Sequence, residues 1–213
     1  MESRFPFFSR QHRALYCFAD SLPLCQSLLD SGARIIQLRA KQLDDRAFLE
    51  LAEAMQALVR SCSEPAVLIV NDRAEIAVEI GADGVHLGQN DSDYREVITA
   101  VSPGMIVGVS VHNTVQALEA QKAGAAYVGA GAVFPTVSKS DAQLIGLDGL
   151  ARIVKATRIP VVAIGGIGYD NVDQVIKAGA HYCAVISDIN DSANRAVRLA
   201  DLNRRINETS GGK

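Results

Sequence analysis

The chain of 213 residues is most informative at first through what it lacks. Its four cysteines, Cys17, Cys25, Cys62 and Cys183, form no C-x-x-C pair, which argues against a zinc site or a redox dithiol and leaves them as buried small apolar residues. No basic run interleaved with aromatics occurs, and 21 Lys+Arg against 24 Asp+Glu give a net charge of −3, so a nucleic-acid surface has little support. The opening stretch, 1–13, is polar and aromatic and holds no h-region of a signal peptide, and no later run approaches the ~20 apolar residues of a membrane span. A reducing cytoplasm is the expected home. A dinucleotide fingerprint after the first strand is missing too, which counts against a doubly wound open sheet.

What is present is 48% apolar residues in a chain sized for one core, with 1–13 expected as a short N-terminal extension of one domain over 1–213. A phrase recurs: Gly32-Ala33, Gly81-Ala82, Gly124-Ala125 and Gly179-Ala180 each follow an amphipathic stretch and precede a short apolar run. Glycine there fits the left-handed residue that ends a helix. The runs that follow, Ile35 to Leu38, Gly84 to Leu87, Tyr127 to Ala130 and Tyr182 to Ile186, read as parallel strands covered on both faces. Leu15 to Phe18, Val67 to Val70, Met105 to Val109 and Pro160 to Ile164 supply four more. Segments between them, such as Asp44 to Arg60, Thr114 to Ala123 and Asn171 to Ala178, carry helical periodicity, with Asp44, Thr114 and Asp170 available as N-caps. Eight strands alternating with helices predict an α/β fold, a single (β/α)₈ TIM barrel.

In such barrels the chemistry sits at the C-terminal strand ends. After the second strand, alternation turns Gln37, Arg39 and Lys41 to one side, an amide and two cations suited to a diphosphate; a solvated strand end is the plain alternative. Asp72 and Asp91 follow the third and fourth strands and, facing one another, would hold magnesium; a helix N-cap and a turn residue are their ordinary readings. Ser110, placed after the fifth strand, can donate to a phosphate. His86 and His112 show neither H-E-x-x-H spacing nor a triad partner, and are left outside the catalytic set. The long connection from Gly131 to Lys139 carries hydroxyls and a lysine able to close over substrate and stabilise a leaving diphosphate, or is a plain surface loop. Ile164-Gly165-Gly166-Ile167 and Val185-Ile186-Ser187 fit phosphate cradles, although close packing would explain the glycines equally.

Taken in order, Gln37-x-Arg39-x-Lys41, Asn71-Asp72-Arg73, Gly84-Val85-His86-Leu87-Gly88-Gln89-x-Asp91, Phe134-Pro135-Thr136-x-Ser138-Lys139 and Ala163-Ile164-Gly165-Gly166-Ile167 resemble the thiamine phosphate synthase family over nearly the whole chain. The resemblance implies a transferase that joins a pyrimidine diphosphate to a thiazole phosphate, with Mg2+ as cofactor. By carry-over, Gln37, Arg39, Lys41, Asn71, Ser110 and Lys139 bind the pyrimidine diphosphate, and Asp72 and Asp91 hold magnesium. Thr136, Ser138, Gly166, Ile186 and Ser187 hold the thiazole phosphate, while Lys139, Arg39, Lys41 and Ser110 carry the catalytic roles. A homodimer is implied as well. Ala126, Ala132 and Gly168 depart from the family's usual residues without removing a charged ligand. Two rival readings are the related thiazole tautomerase, which uses a histidine at a position like His112, and a non-catalytic sensor of thiamine precursors.

Overall fold

The structure, a computed structural model, describes residues 8–89, 93–101, 103–136 and 143–211. Eight parallel strands close into a barrel, each paired with its neighbours in chain order and β8 returning to β1. They are β1 (Ala14–Ala19), β2 (Ile35–Leu38), β3 (Val67–Asn71), β4 (Gly84–Leu87), β5 (Ile106–Val111), β6 (Tyr127–Gly131), β7 (Val161–Ile164) and β8 (Tyr182–Ala184). The helices are α1 (Leu22–Asp30), α2 (Asp45–Arg60), α3 (Ala74–Glu79), α4 (Tyr94–Ala100), α5 (Thr114–Ala123), α6 (Gly146–Ala156), α7 (Val172–Lys177), α8 (Ser187–Asn190) and α9 (Arg195–Ser210). Among the described residues no helix is long and apolar enough to cross a membrane.

The two-residue period of a strand sorts the apolar residues into two cores. Outward positions such as Leu15, Cys17, Ile36, Leu38, Val85, Val109 and Val128 pack under the helices. Inward positions such as Tyr16, Phe18, Ile35, Ile69, Tyr127, Val162 and Tyr182 fill the barrel. Large and small alternate inside: a Cβ on Gly108 would run into the Tyr127 ring, and one on Gly129 would lie 2.9 Å from His86 Cε1. The glycines of β5 and β6 thus leave the volume that the rings occupy.

From below, Phe8 enters the barrel and stacks on Tyr127 with ring centroids 4.8 Å apart. Ser9 exchanges backbone bonds with the Tyr182 hydroxyl at 2.9 and 3.0 Å. The part of the N-terminal segment from Phe8 onward is therefore a stopper for the barrel.

All four glycines of the repeated phrase take left-handed φ values of 96, 61, 104 and 98°. Asp44 caps α2 by accepting from Ala47 N at 2.8 Å. The other two expected caps lie one residue away. Asn113 caps α5, accepting from Gln116 N at 2.9 Å, and Thr114 is the first helical residue. At α7 the N-cap position is Asn171 rather than Asp170, and its side chain makes no cap bond because it is engaged in the preceding turn. Ser110 lies inside β5 and not beyond it. The eighth strand stops at Ala184, since Ile186 leaves the extended region with φ −113° and ψ −86°. Three cysteines are fully buried, whereas Cys62 is only half-buried.

Candidate active site

The inward columns of β2, β3, β4 and β5 continue past the apolar barrel core and become polar at the C-terminal mouth. Gln37, Arg39, Lys41, Asn71, Asp72, His86, Ser110 and His112 line one pocket there, opposite Thr136, Gly166, Ile186 and Ser187. Every described member of the expected site set is among them. Asp91, Ser138 and Lys139 lie outside the described residues.

Gln37 is the deepest of the set, 3% exposed, and its Nε2 donates to the Tyr16 hydroxyl at 2.9 Å. Arg39 follows where β2 ends, its backbone N–H bonded to Ala19 O at 2.9 Å. Its guanidinium lines the pocket and has no ion-pair partner among the described residues. Lys41 reaches Asp72, Nζ to Oδ2 3.6 Å, and Asn71 Nδ2 donates to that same oxygen at 2.6 Å. Asp72 has a left-handed backbone, φ 63°, which short polar side chains tolerate better than most.

The opposite wall is backbone. The turn after β7 has positive φ at Gly165 (104°) and Gly166 (61°), and the loop after β6 lies directly over it. Val133 N bonds Ile164 O at 2.9 Å, and Phe134 N bonds Gly165 O at 3.0 Å. A Cβ at Gly166 would meet the Pro135 carbonyl oxygen and come within 2.9 Å of Phe134 Cβ, so only glycine lets the two loops close. Asn171 pins the turn, donating to Gly166 O and accepting from Gly168 N, both at 2.9 Å. Asp188 accepts from Tyr169 N at 3.0 Å and ties this loop to α8.

His86 and His112, outside the expected catalytic set, both line the pocket. His112 Nδ1 lies 2.7 Å from Gly131 O. His86 bridges Tyr127 and Ser110, with Nδ1 2.9 Å from the Tyr127 hydroxyl and Nε2 2.9 Å from Ser110 Oγ. Alternation along β4, which turns Gly84, His86 and Gly88 inward, was the available signal. Burial raises the hydroxyl pKa of Tyr16 from its ordinary value, and burial together with the neighbouring Tyr16 raises that of Tyr127, so both stay protonated. Among the described residues no group of three or more His, Cys, Asp or Glu side chains is gathered as a metal cluster.

A closed parallel barrel with its polar pocket at the C-terminal mouth defines an enzyme of the (β/α)₈ class. The family model described as thiamine monophosphate synthase matches residues 11–189. A thiamine-phosphate synthase of Pyrococcus furiosus is 42% identical over 183 residues, 86% of this chain and 87% of that protein. One from Moorella thermoacetica is 41% identical over 192 residues, covering 90% of each. The solved structure of thiamine phosphate pyrophosphorylase from Pyrococcus furiosus superposes with a TM-score of 0.85 at 37% identity, over 93% of this chain and 97% of that one. The chain belongs to the thiamine monophosphate synthase family, and it is a transferase of thiamine biosynthesis.

Proposed function

We propose that this enzyme condenses 4-amino-2-methyl-5-hydroxymethylpyrimidine diphosphate with 4-methyl-5-(2-hydroxyethyl)thiazole phosphate, in a magnesium-dependent reaction that yields thiamine phosphate and pyrophosphate. The observation that carries this reading is the opposition, across one pocket, of Arg39 and Lys41 to the Gly165–Gly166 turn. One wall offers side-chain cations for a diphosphate; the other offers close backbone approach for a monophosphate.

In this reading Gln37, Arg39, Lys41, Asn71 and Ser110 bind the pyrimidine diphosphate, joined by Lys139. Thr136, Gly166, Ile186 and Ser187 hold the thiazole phosphate, joined by Ser138. Gln37 Nε2 donates one hydrogen to Tyr16, and its carbonyl oxygen is the acceptor it offers to the pyrimidine amino group. The donor set also fits magnesium. Asp72 places a carboxylate on the pocket wall, and Mg2+ needs only one or two carboxylates when water and substrate phosphate complete its shell. Asp72 and Asp91 would hold it, and the ion would neutralise charge on the diphosphate.

The chemistry asks little proton transfer of the protein. The bond from the pyrimidine methylene carbon to the bridging diphosphate oxygen breaks, its electron pair leaving with pyrophosphate, and the amino-pyrimidine delocalises the cation that remains. The thiazole nitrogen then supplies the pair for the new C–N bond. Arg39, Lys41 and Lys139 stabilise the departing charge, while Tyr127, Val162 and Ile164 line the pocket and keep water from the cation. The four free thiols favour a reducing cytoplasm for this reaction, and a homodimer is the proposed assembly.

The test supplies purified protein with both precursors, with magnesium and then with excess EDTA, and measures pyrophosphate and thiamine phosphate together. Magnesium-dependent appearance of both products in equal amounts is expected. A folded protein that forms neither product would overturn the reading and favour a sensor.

A further inference from the structure

Five side chains from five strands form one unbroken line of hydrogen bonds across the barrel interior. Gln37 Nε2 donates to the Tyr16 hydroxyl at 2.9 Å, and Tyr16 and Tyr127 share a bond of 2.8 Å. Tyr127 lies 2.9 Å from His86 Nδ1, and His86 Nε2 lies 2.9 Å from Ser110 Oγ. Both ends of the line, Gln37 and Ser110, face the pocket.

We propose that this line is directional, and that Tyr16, Tyr127 and His86 are positioning residues that make Ser110 a hydrogen-bond donor to the ligand and the Gln37 carbonyl an acceptor. The direction follows from counting protons. The Gln37 amide nitrogen can only donate, so the Tyr16 oxygen accepts; Tyr16 is 1% exposed and its hydroxyl meets only Gln37 and Tyr127 among the described residues, so its single proton is satisfied only by Tyr127. The single proton of Tyr127 then goes to His86 Nδ1, which must be the unprotonated ring nitrogen. Nε2 therefore carries the hydrogen and donates to Ser110 Oγ. With one of its two lone pairs engaged by His86, Ser110 keeps its own hydrogen free to donate into the pocket.

The surroundings hold the line in this order. Burial keeps the Tyr16 and Tyr127 hydroxyls protonated, as directional bonding requires. The His86 ring stacks on Tyr127 with centroids 5.5 Å apart, and Gln89 Nε2 fixes the Ser110 carbonyl at 2.6 Å. The space left at Gly108 and Gly129 belongs to Tyr127 and His86. What the arrangement recognises is a ligand with an amino hydrogen to give and an oxygen or ring nitrogen to accept, which the amino-pyrimidine diphosphate provides. That last step rests on the proposed function; the tautomer does not.

The experiment is long-range ¹H–¹⁵N NMR of the histidine rings in the full chain without ligand, with His86→Gln used to assign the His86 signals among the four histidines. An Nε2–H tautomer for His86 is expected, and an Nδ1–H tautomer would mean that the line runs the other way and would overturn the proposal. Tyr127→Phe should abolish the single tautomer and lower kcat roughly tenfold, the effect of one net hydrogen bond, with the KM for thiazole phosphate unchanged. An unaltered His86 spectrum in that variant defeats the proposal as well. Tyr182→Phe, in the same aromatic cluster but outside the line, should leave His86 as in the parent protein. Should Tyr127→Phe not fold, the tautomer of the parent and of Tyr16→Phe decides. Because the NMR needs no substrate, a correct tautomer in a protein that makes no thiamine phosphate would sink the functional reading and leave the line standing.

Discussion

Lys41 Nζ lies 3.6 Å from Asp72 Oδ2, and Asn71 Nδ2 reaches the same oxygen at 2.6 Å. The pair is partly solvated, with side-chain exposures of 57% and 26%, so its contribution to folding is at most about 1 kcal/mol. Its role lies at the pocket. Asp72→Asn keeps the shape and suits the left-handed φ, so the melting temperature should hardly change. The magnesium concentration for half-maximal rate should rise roughly tenfold or more. A metal titration superimposable on that of the parent would remove Asp72 from the proposed metal site.

Gly166→Ala tests the opposite wall. The added Cβ meets Pro135 O at a φ of 61°, so the loop after β6 has to move off the turn. If this wall holds the monophosphate as proposed, the KM for thiazole phosphate should rise at least about tenfold, with a smaller change for the pyrimidine diphosphate. Equal increases for both substrates would argue for general collapse of the pocket.

These two walls differ in how far they could be read from sequence. Gln37, Arg39 and Lys41 were legible because strand alternation is local, and the Gly-Ala phrase was legible because a left-handed helix end requires glycine wherever it occurs. His86 was not. Its partners Ser110 and Tyr127 lie 24 and 41 residues away, and only closure of the barrel brings their side chains within hydrogen-bonding distance. The displaced caps have a similar origin: Asn171 fits the cap position by type, but the turn at Gly166 and Gly168 claims its amide first. Ser110 was placed past its strand because polarity marks a strand end in sequence, whereas in a barrel mouth the inward column turns polar while the backbone is still paired.

Thiol reactivity should separate one cysteine from three. Burial pushes the thiols of Cys17, Cys25 and Cys183 up to about 12, with Cys62 adding to the effect at Cys25. Cys62 is half-buried at the end of α2, where its Sγ contacts Leu58 O at 3.6 Å. A chromogenic disulfide reagent at pH 8 should modify Cys62 in the folded enzyme and all four thiols after denaturation. Rapid reaction of more than one thiol in the folded state would contradict the packing of β1, α1 and β8.

Acid sensitivity should arise in part at the barrel bottom. His181 is 3% exposed, with Nδ1 accepting from Val161 N at 3.2 Å and the Arg10 Nε 3.2 Å from Nε2. Burial first, then Arg13 and Arg10, lowers its pKa from 6.5 to about 4. The unfolded chain therefore binds a proton near pH 6.5 that the folded chain refuses until about pH 4. Stability from this group is complete above pH ~6.5 and declines as the pH falls toward 4, by at most about 3 kcal/mol. Urea midpoints measured at pH 7, 5.5 and 4.5 should fall steadily for the parent enzyme. His181→Asn, which keeps an acceptor for Val161 N and cannot take up the proton, should start lower at pH 7 and decline less. A parallel decline in both proteins would assign the acid sensitivity to carboxylates elsewhere in the barrel.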